Sequence, residues 1–426
     1  MMRKIFTFIW IIILLLSAGF RQVTKDDKES ARSTQTGFAQ IFNGKDLTGW
    51  DGEPVFWSVE AGRIIARVSP EVRVKNHTYL IWQGPKVRDF ELRVKLRSTQ
   101  GNSGIDYRAE PVLTDRDGNQ LKWTIQGYQS DIAKGWMGSL YNWGKPGAQP
   151  GQFVVVTGDE TVSKYIGAVA YKQVLSDVGY YKPDDWNEFT IVARGSHILH
   201  RINDYLVVEF IDNSSDRRRE GMLGLQVHSG PGPFLNEFKD IHIRHSNNAF
   251  GQATPLFNSK DLTGWTSSDS QTKSAWVVDV EEGVLLNKGR TQGYICTKDA
   301  YTNYVLRFQY HCLGKRKGGV MLRLADSDQC IRLYGKGDDF NRIGATDFTL
   351  KVRKRRGNTP AFKKLPEKLW NECEIVLNKG QLKVKVNNVT RAIATECEQT
   401  PGKIGFEAGG SHVQYRNIVL IPILSD

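Results

Sequence analysis

Cysteine is missing from the first 295 residues; the five present, Cys296, Cys312, Cys330, Cys373 and Cys397, all fall in the second half. The first half therefore folds without a disulfide framework. Cysteine spacings of 16, 18, 43 and 24 contain no CxxC metal pattern. An odd count in a secreted chain leaves at least one thiol free or intermolecular, and buried thiols are expected. Methionine is scarce (5), whereas Gly (41) and Trp (11) are frequent, a balance that favours short strands and turns over helix bundles. No segment shows a long amphipathic helical period. Only one long apolar run exists, which excludes a multi-span membrane protein. There is no P-loop, no GxGxxG after a strand and no GxSxG elbow.

The apolar run, Ile5 to Leu16, follows Arg3 and Lys4 and is followed by the small residues Ser17, Ala18 and Gly19. It is short for a membrane span and predicts a signal peptide over residues 1–19, hence a secreted or periplasmic protein. No cysteine follows it, which argues against a lipoprotein. Residues 20–37 are polar and charge-mixed and read as a flexible linker.

With 426 residues, two or three domains are expected, and the sequence repeats itself. FNGKDLTGW (Phe42–Trp50) returns as FNSKDLTGW (Phe257–Trp265) at an offset of 215. Gly104 and Arg108 return as Gly319 and Arg323, Trp186-Asn187-Glu188 as Trp370-Asn371-Glu372, and Gly221-x-x-Gly224 as Gly402-x-x-Gly405. This order of markers predicts a duplicated domain: residues 38–245, a linker at 246–253, and a second copy at 254–426. The first copy carries 31 extra residues in its middle, including Trp123, Trp136 and Trp143. Charge is uneven: residues 20–252 are net +1 and residues 253–426 net +9.

Within both copies the local pattern is period-two alternation. FELRVKLRS, HILHRIN, YLVVEFID and GLQVHSG show it in the first copy, and YVLRFQYH, CEIVLN and LKVKVN in the second. The spacing predicts an all-β protein of two tandem antiparallel β-sandwich (jelly-roll) domains.

The blocks FNGKDLTGW, WSVEAGRIIA, GNSGIDYR, GYQSDIAKGWMGSLYNWG, DDWNEFTI and GMLGLQVHSGPG resemble the 3-keto-disaccharide hydrolase domain family, formerly a domain of unknown function. The second copy resembles a divergent member, without a counterpart to GYQSDI or LQVH. The resemblance implies a concanavalin A-like (laminin-G-like) jelly roll in a secreted carbohydrate-active protein. It also implies hydrolysis of 3-keto-glycosides.

Alternation assigns faces. Asp106, Arg108 and Glu110 are expected on one face of their strand, Gln129 and Asp131 on one face of theirs, and Gln226 and His228 on one face of a third. As neighbours in a sheet they would make a polar floor; the alternative is a solvated outer face. Cleaving a 3-keto-glycoside calls for a base at carbon 2, a donor for the developing oxyanion and an acid for the leaving group. On this reading His228 or Asp131 is the base, Arg108 stabilises the enediolate and Glu110 is a further acid. Gln129, Gln226, Trp136 and Tyr141 are expected to bind substrate. A divalent metal could replace Arg108 as electrophile, with His228, Asp131 and Glu110 as suitable ligand types, although no HExxH-like spacing supports it. An E-x-D-x-x-E glucanase motif is missing.

The basic runs Lys315-Arg316-Lys317 and Lys351–Arg356 are candidates for an anionic polymer, the alternative being solvated loops; nucleic acid is not expected as a partner. The second copy is expected to be accessory. Two other readings stand beside the enzyme: a lectin-like carbohydrate-binding protein and a laminin-G-like adhesion protein.

Overall fold

The computed structural model describes residues 37–135, 137–142, 153–155, 168–171, 179–288, 293–312, 319–325, 330–336, 339–346, 351–352, 365, 369–407 and 412–424. The chain divides into a unit of residues 1–39 and a compact unit of residues 40–426. Among the described residues, the compact unit is built from two pairs of antiparallel sheets, a two-stranded sheet (Arg73–Val74 with Gly230–Pro231) and one six-residue helix, Ser270–Ala275.

In the first pair, the larger sheet runs in the order Ala168–Tyr171, Tyr205–Asp212, His197–Ile202, Asn187–Arg194, Phe90–Gln100, Phe234–His245, Arg63–Val68, Trp57–Glu60. The facing seven-stranded sheet runs Phe153–Val155, Leu140–Asn142, Ile125–Ile132, Ser103–Pro111, Met222–Val227, Thr78–Trp82, Trp50–Asp51. Alternation sends Leu92, Val94, Leu96, Ile191 and Phe238 of one sheet against Ile105, Tyr107, Tyr128, Leu225 and Val227 of the other. Each such fully buried side chain contributes roughly 1.5–3 kcal/mol of hydrophobic free energy. The second pair repeats this plan. A larger sheet is centred on Tyr304–Cys312 and His412–Pro422, and a six-stranded sheet on Gly319–Leu324 and Lys403–Glu407. The all-β sandwich expected from period-two alternation is the observed fold.

The repeated motifs are scaffold in both copies. In FNGKDLTGW, Asn43 Oδ1 accepts the amides of Lys45 and Asp46, and Trp50 Nε1 donates to the Ile41 carbonyl at 2.8 Å. In FNSKDLTGW, Asn258 Oδ1 accepts the amides of Lys260 and Asp261, and Trp265 Nε1 donates to the Leu256 carbonyl, again at 2.8 Å.

A β-bulge explains two further pairs of markers. Tyr107 pairs with Tyr128, but the next pair is Glu110 with Gln126, so Arg108 and Ala109 share one opposing residue. Arg108 sits at φ 47° and Arg323 at φ 58°, the left-handed region that non-glycine residues seldom adopt. Each arginine turns inward and is 1% exposed. Arg108 donates to the carbonyls of Arg88 and Gly195, and Arg323 to those of Tyr301 and Thr400. The bulge presses against a glycine each time: a Cβ on Gly221 would lie 2.3 Å from the Ala109 oxygen, and one on Gly402 2.4 Å from the Arg323 carbonyl carbon. Backbone cannot yield as a side chain tip can, and overpacking costs typically 1–3 kcal/mol. Gly221→Ala is therefore expected to destabilise by about 3 kcal/mol, read as a lower urea midpoint at unchanged slope.

The polar stretch expected to be a linker is built into the junction between the sandwiches. The Gly251 amide donates to the Pro422 carbonyl at 2.9 Å, and Ala253 is fully buried. Ile211, Phe250, Val305, Val419, Ile421 and Ile423 form a separate apolar cluster there. Beside it lies a buried ion-pair network. Arg307 of the second copy donates to Glu209 of the first at 2.9 Å and to Glu372 and Glu374 at 3.0 and 3.1 Å. Arg201 and Arg194 of the first copy reach the same Glu372 and Glu374. Burial opposes ionisation of Glu209, but Arg307 and His197 outweigh it and take its carboxyl down to about 2. Cys296, Cys330, Cys373 and Cys397 are buried, as expected from the sequence.

Candidate functional site

Because Ile105, Tyr107, Tyr128, Leu225 and Val227 turn into the core, the alternate residues of the seven-stranded sheet face outward. Register then places Gln129 opposite both Tyr141 and Asp106, Asp106 opposite Gly224, Asp131 opposite Gly104, and Gln226 opposite Tyr79. Gly104 has a steric reason: a Cβ there would lie 2.2 Å from Gln129 Nε2. Four of the residues singled out from sequence, Gln129, Asp131, Gln226 and Tyr141, thus share one sheet face with Asp106 and Tyr79. All six are buried.

The polar contacts on this face are specific. Gln129 Nε2 donates to Asp106 Oδ2 at 2.9 Å, and Gln226 Nε2 donates to the Tyr79 hydroxyl at 3.0 Å. Asp106 Oδ1 and Gln226 Oε1 are buried without a hydrogen-bond partner among the described residues, which is costly unless something completes them. Burial raises the Asp106 carboxyl well above the usual carboxylate range, the Gln129 bond opposes the rise, and the neighbouring Asp131 adds to it. Burial therefore favours the protonated form of Asp106. Asp131 differs. Burial raises it to about 7, while one of its oxygens accepts the Ile132 amide at 2.9 Å. Burial thus disfavours the charged form of both carboxyls on this face, the kind of environment that sets acid and base roles.

His228 lies just past the end of Met222–Val227. Its Nδ1 is 2.5 Å from the Ser229 carbonyl, which requires Nδ1–H and leaves the lone pair on Nε2. Its ring meets that of His77 edge-on at 4.5 Å, and His77 Nδ1 accepts the Ser229 amide at 2.9 Å. Burial lowers both histidines, His77 to about 3, so the pair is neutral.

Arg108 and Glu110 do not join this face, against the expectation from alternation, because the bulge resets it. The Arg108 guanidinium is committed to the Arg88, Gly195 and Arg218 carbonyls and to Asp89, so an enediolate-stabilising role does not fit its position. Glu110 is exposed at the sheet end. It pairs with Arg218 at 2.7 Å and accepts from Gln126 at 3.1 Å; the Arg218 bond first holds it below the usual range, which does not suit an acid catalyst. Among the described residues no three His, Cys, Asp or Glu side chains converge as a metal-binding group, so His228, Asp131 and Glu110 are not brought together as a ligand set. Trp136, Lys315-Arg316-Lys317 and Arg353–Arg356 lie outside the described residues.

Sequence reading missed three residues. Asp106 was on the expected face but had no role. Tyr79 hides in the apolar run TYLIW. His77 lacks any local signal, because its partner His228 is 151 positions away in the chain.

The second copy shows what was lost. Gly405 pairs with Met321 as Gly224 pairs with Asp106, and Tyr294 pairs with Glu407 as Tyr79 pairs with Gln226. Met321 stands where the acid would be, packed with Cys296, Leu324 and Cys330.

Among solved structures, similarity is found to a candidate glycosyl hydrolase from Parabacteroides distasonis ATCC 8503 (17% identity, 51% of this chain and 97% of that one, TM-score 0.34). It is also found to a family 66 carbohydrate-binding module from Bacillus subtilis (11%, 37% and 95%, TM-score 0.27). A third is a Bacillus licheniformis β-glucanase (13%, 42% and 100%, TM-score 0.29). No curated protein matches the chain significantly. The family model for the 3-keto-alpha-glucoside-1,2-lyase-like domain matches twice, at residues 37–244 and 252–421. The chain is a carbohydrate-active protein that belongs to the 3-keto-alpha-glucoside-1,2-lyase-like domain family, as two tandem copies.

Proposed function

We propose that the outer face of the first copy's seven-stranded sheet cleaves 3-keto-glycosides by elimination followed by hydration. The ketone at carbon 3 acidifies the proton on carbon 2. Asp131, as carboxylate, takes that proton and leaves an enediolate. The electron pair then expels the group on carbon 1. Asp106, the neutral acid, gives its proton to the departing oxygen, so the aglycone leaves as an alcohol. Water adds back across carbons 1 and 2 and yields the free 3-keto sugar. Gln129, Gln226 and Tyr79 hold sugar hydroxyls, with Tyr141 beside them and the His228 Nε2 lone pair at the edge.

The observation that carries this reading is the placement on one buried face of Asp106, whose burial disfavours the carboxylate, with Asp131, whose burial raises it to about 7. General acid–base catalysis is most effective when the base titrates near working pH. Met321 at the position of Asp106 supports placing the chemistry in the first copy, with an accessory role for the second. Export through residues 1–19 belongs to the same proposal.

The test is sugar release by the purified protein from 3-keto-trehalose and 3-keto-glucosides beside their unoxidised parents, with and without EDTA. The expected result is 3-keto-glucose from the oxidised substrates alone. No release from either set, with glycan binding retained, would make the protein a lectin instead.

A further inference from the structure

At the junction of the sandwiches, away from the Asp106–Asp131 face, lies a cleft of about 320 Å³. Phe250, Val305 and Ile423 give it an apolar floor, and Ser246 and Asn247 stand at its wall. Its charged lining is unbalanced: Arg194, Arg244, Lys383 and Lys385 against Glu91 and Glu374. Those two carboxylates are already saturated. Glu91 takes Arg93 and Arg244, and Glu374 takes Arg194, Arg307 and Lys385. Lys383 has no ion-pair partner among the described residues. Partial burial first, then Lys385 and Arg244, hold its ammonium below the usual lysine range. Glu374 and Glu91 offset only part of the repulsion that Lys385 and Arg244 exert on Lys383, and an anion placed beside Lys383 removes more of it.

We propose that this cleft binds a carboxylate-bearing saccharide, its carboxylate at Lys383 and Arg244 and its C–H face on Phe250 and Ile423. The volume suits one or two sugar rings, within the usual range of small-molecule pockets. An apolar floor with cations at one side matches a hexuronate: one ring face is apolar and the charge lies at one end. The saccharide class rests on the carbohydrate reading of the family; the anionic character rests on the cleft alone.

Titration calorimetry of the full-length protein with D-glucuronate, D-glucose and inorganic sulfate tests this. Saturable glucuronate binding is expected that weakens as salt rises from low to physiological strength, because exposed charges are screened. Glucose should not bind there. Lys383→Glu should weaken glucuronate binding at least about tenfold, since the reversed charge repels the carboxylate. The same variant should keep the parent's 3-keto-glycoside cleavage, which is measured separately. A cleavage failure with intact glucuronate binding would strike the catalytic reading alone. Absence of glucuronate binding, or binding unchanged in Lys383→Glu, would overturn the proposal. Sulfate binding as tightly as glucuronate would overturn its saccharide part.

Discussion

Asp131→Asn is expected to lower kcat for 3-keto-glycoside cleavage by about 10²–10⁴-fold while making the protein more resistant to urea above pH 7. Both effects have one origin. In the folded protein burial raises the Asp131 carboxyl to about 7, against 3.8 for an ordinary aspartate. The native state therefore holds a proton that the unfolded chain has released between those pH values, and stability falls as pH rises through that window. At about 1.4 kcal/mol per unit, the shift corresponds to a cost on the order of 4 kcal/mol once Asp131 is ionised. Asparagine removes the ionisation, keeps an oxygen for the Ile132 amide, and has no base to offer. The parent's kcat should rise with pH through about 7, and the variant's residual rate should lack that step. A variant that loses activity but gains no stability at high pH would mean that Asp131 is not held in a carboxylate-disfavouring site. Full retention of activity would remove it from the mechanism.

Arg307→Met is expected to be the most damaging single substitution at the junction. Arg307 is buried and neutralises Glu209, Glu372 and Glu374 across the two sandwiches. Removing one partner of a buried pair costs about 3–5 kcal/mol, because the remaining charges stay in a poor solvent. The sign with pH is distinctive. In the parent the Glu209 and Glu374 pKa values are depressed, so this stabilisation is full above the unfolded value of about 4.5 and is lost as pH falls toward 2. In the variant Glu209 and Glu374 each lose one cation, so taking up protons costs them less than in the parent. The gap in urea midpoint between parent and variant should therefore shrink on acidification from pH 7 to 4.5. Adding Glu209→Gln to Arg307→Met should recover part of the loss. A small, pH-independent effect would mean that water reaches the network.

The larger sheets show why that junction was not legible. Strands such as YLVVEFID and NECEIVLN alternate apolar and charged residues, which in one strand reads as a solvated outer face. Here two such faces pack on each other. Their charges are satisfied by partners up to 180 positions distant, as in Arg194 with Glu374. Nothing local distinguishes a face covered by water from one covered by a second sheet.

The site divides in the same way. Gln129, Asp131 and Gln226 were found because a regular strand keeps its period of two. Arg108 and Glu110 were misplaced because one residue at positive φ flips everything after it. The repeat held the missing clue. Arg108 recurs as Arg323 with the same bulge, which marks scaffold, whereas Asp106 has Met321 at its place in the second copy.

By itself the sequence determined the strand pattern, the duplication and the family, because side-chain period and motif spacing are local properties of the chain. Tertiary structure alone decided that burial disfavours the charged form of Asp106 and raises Asp131 to about 7. Those states depend on burial and on neighbours from other strands: Asp131 sits beside Asp106, and Gln129 reaches Asp106 across a gap that Gly104 leaves open. No spacing along one strand encodes that desolvation.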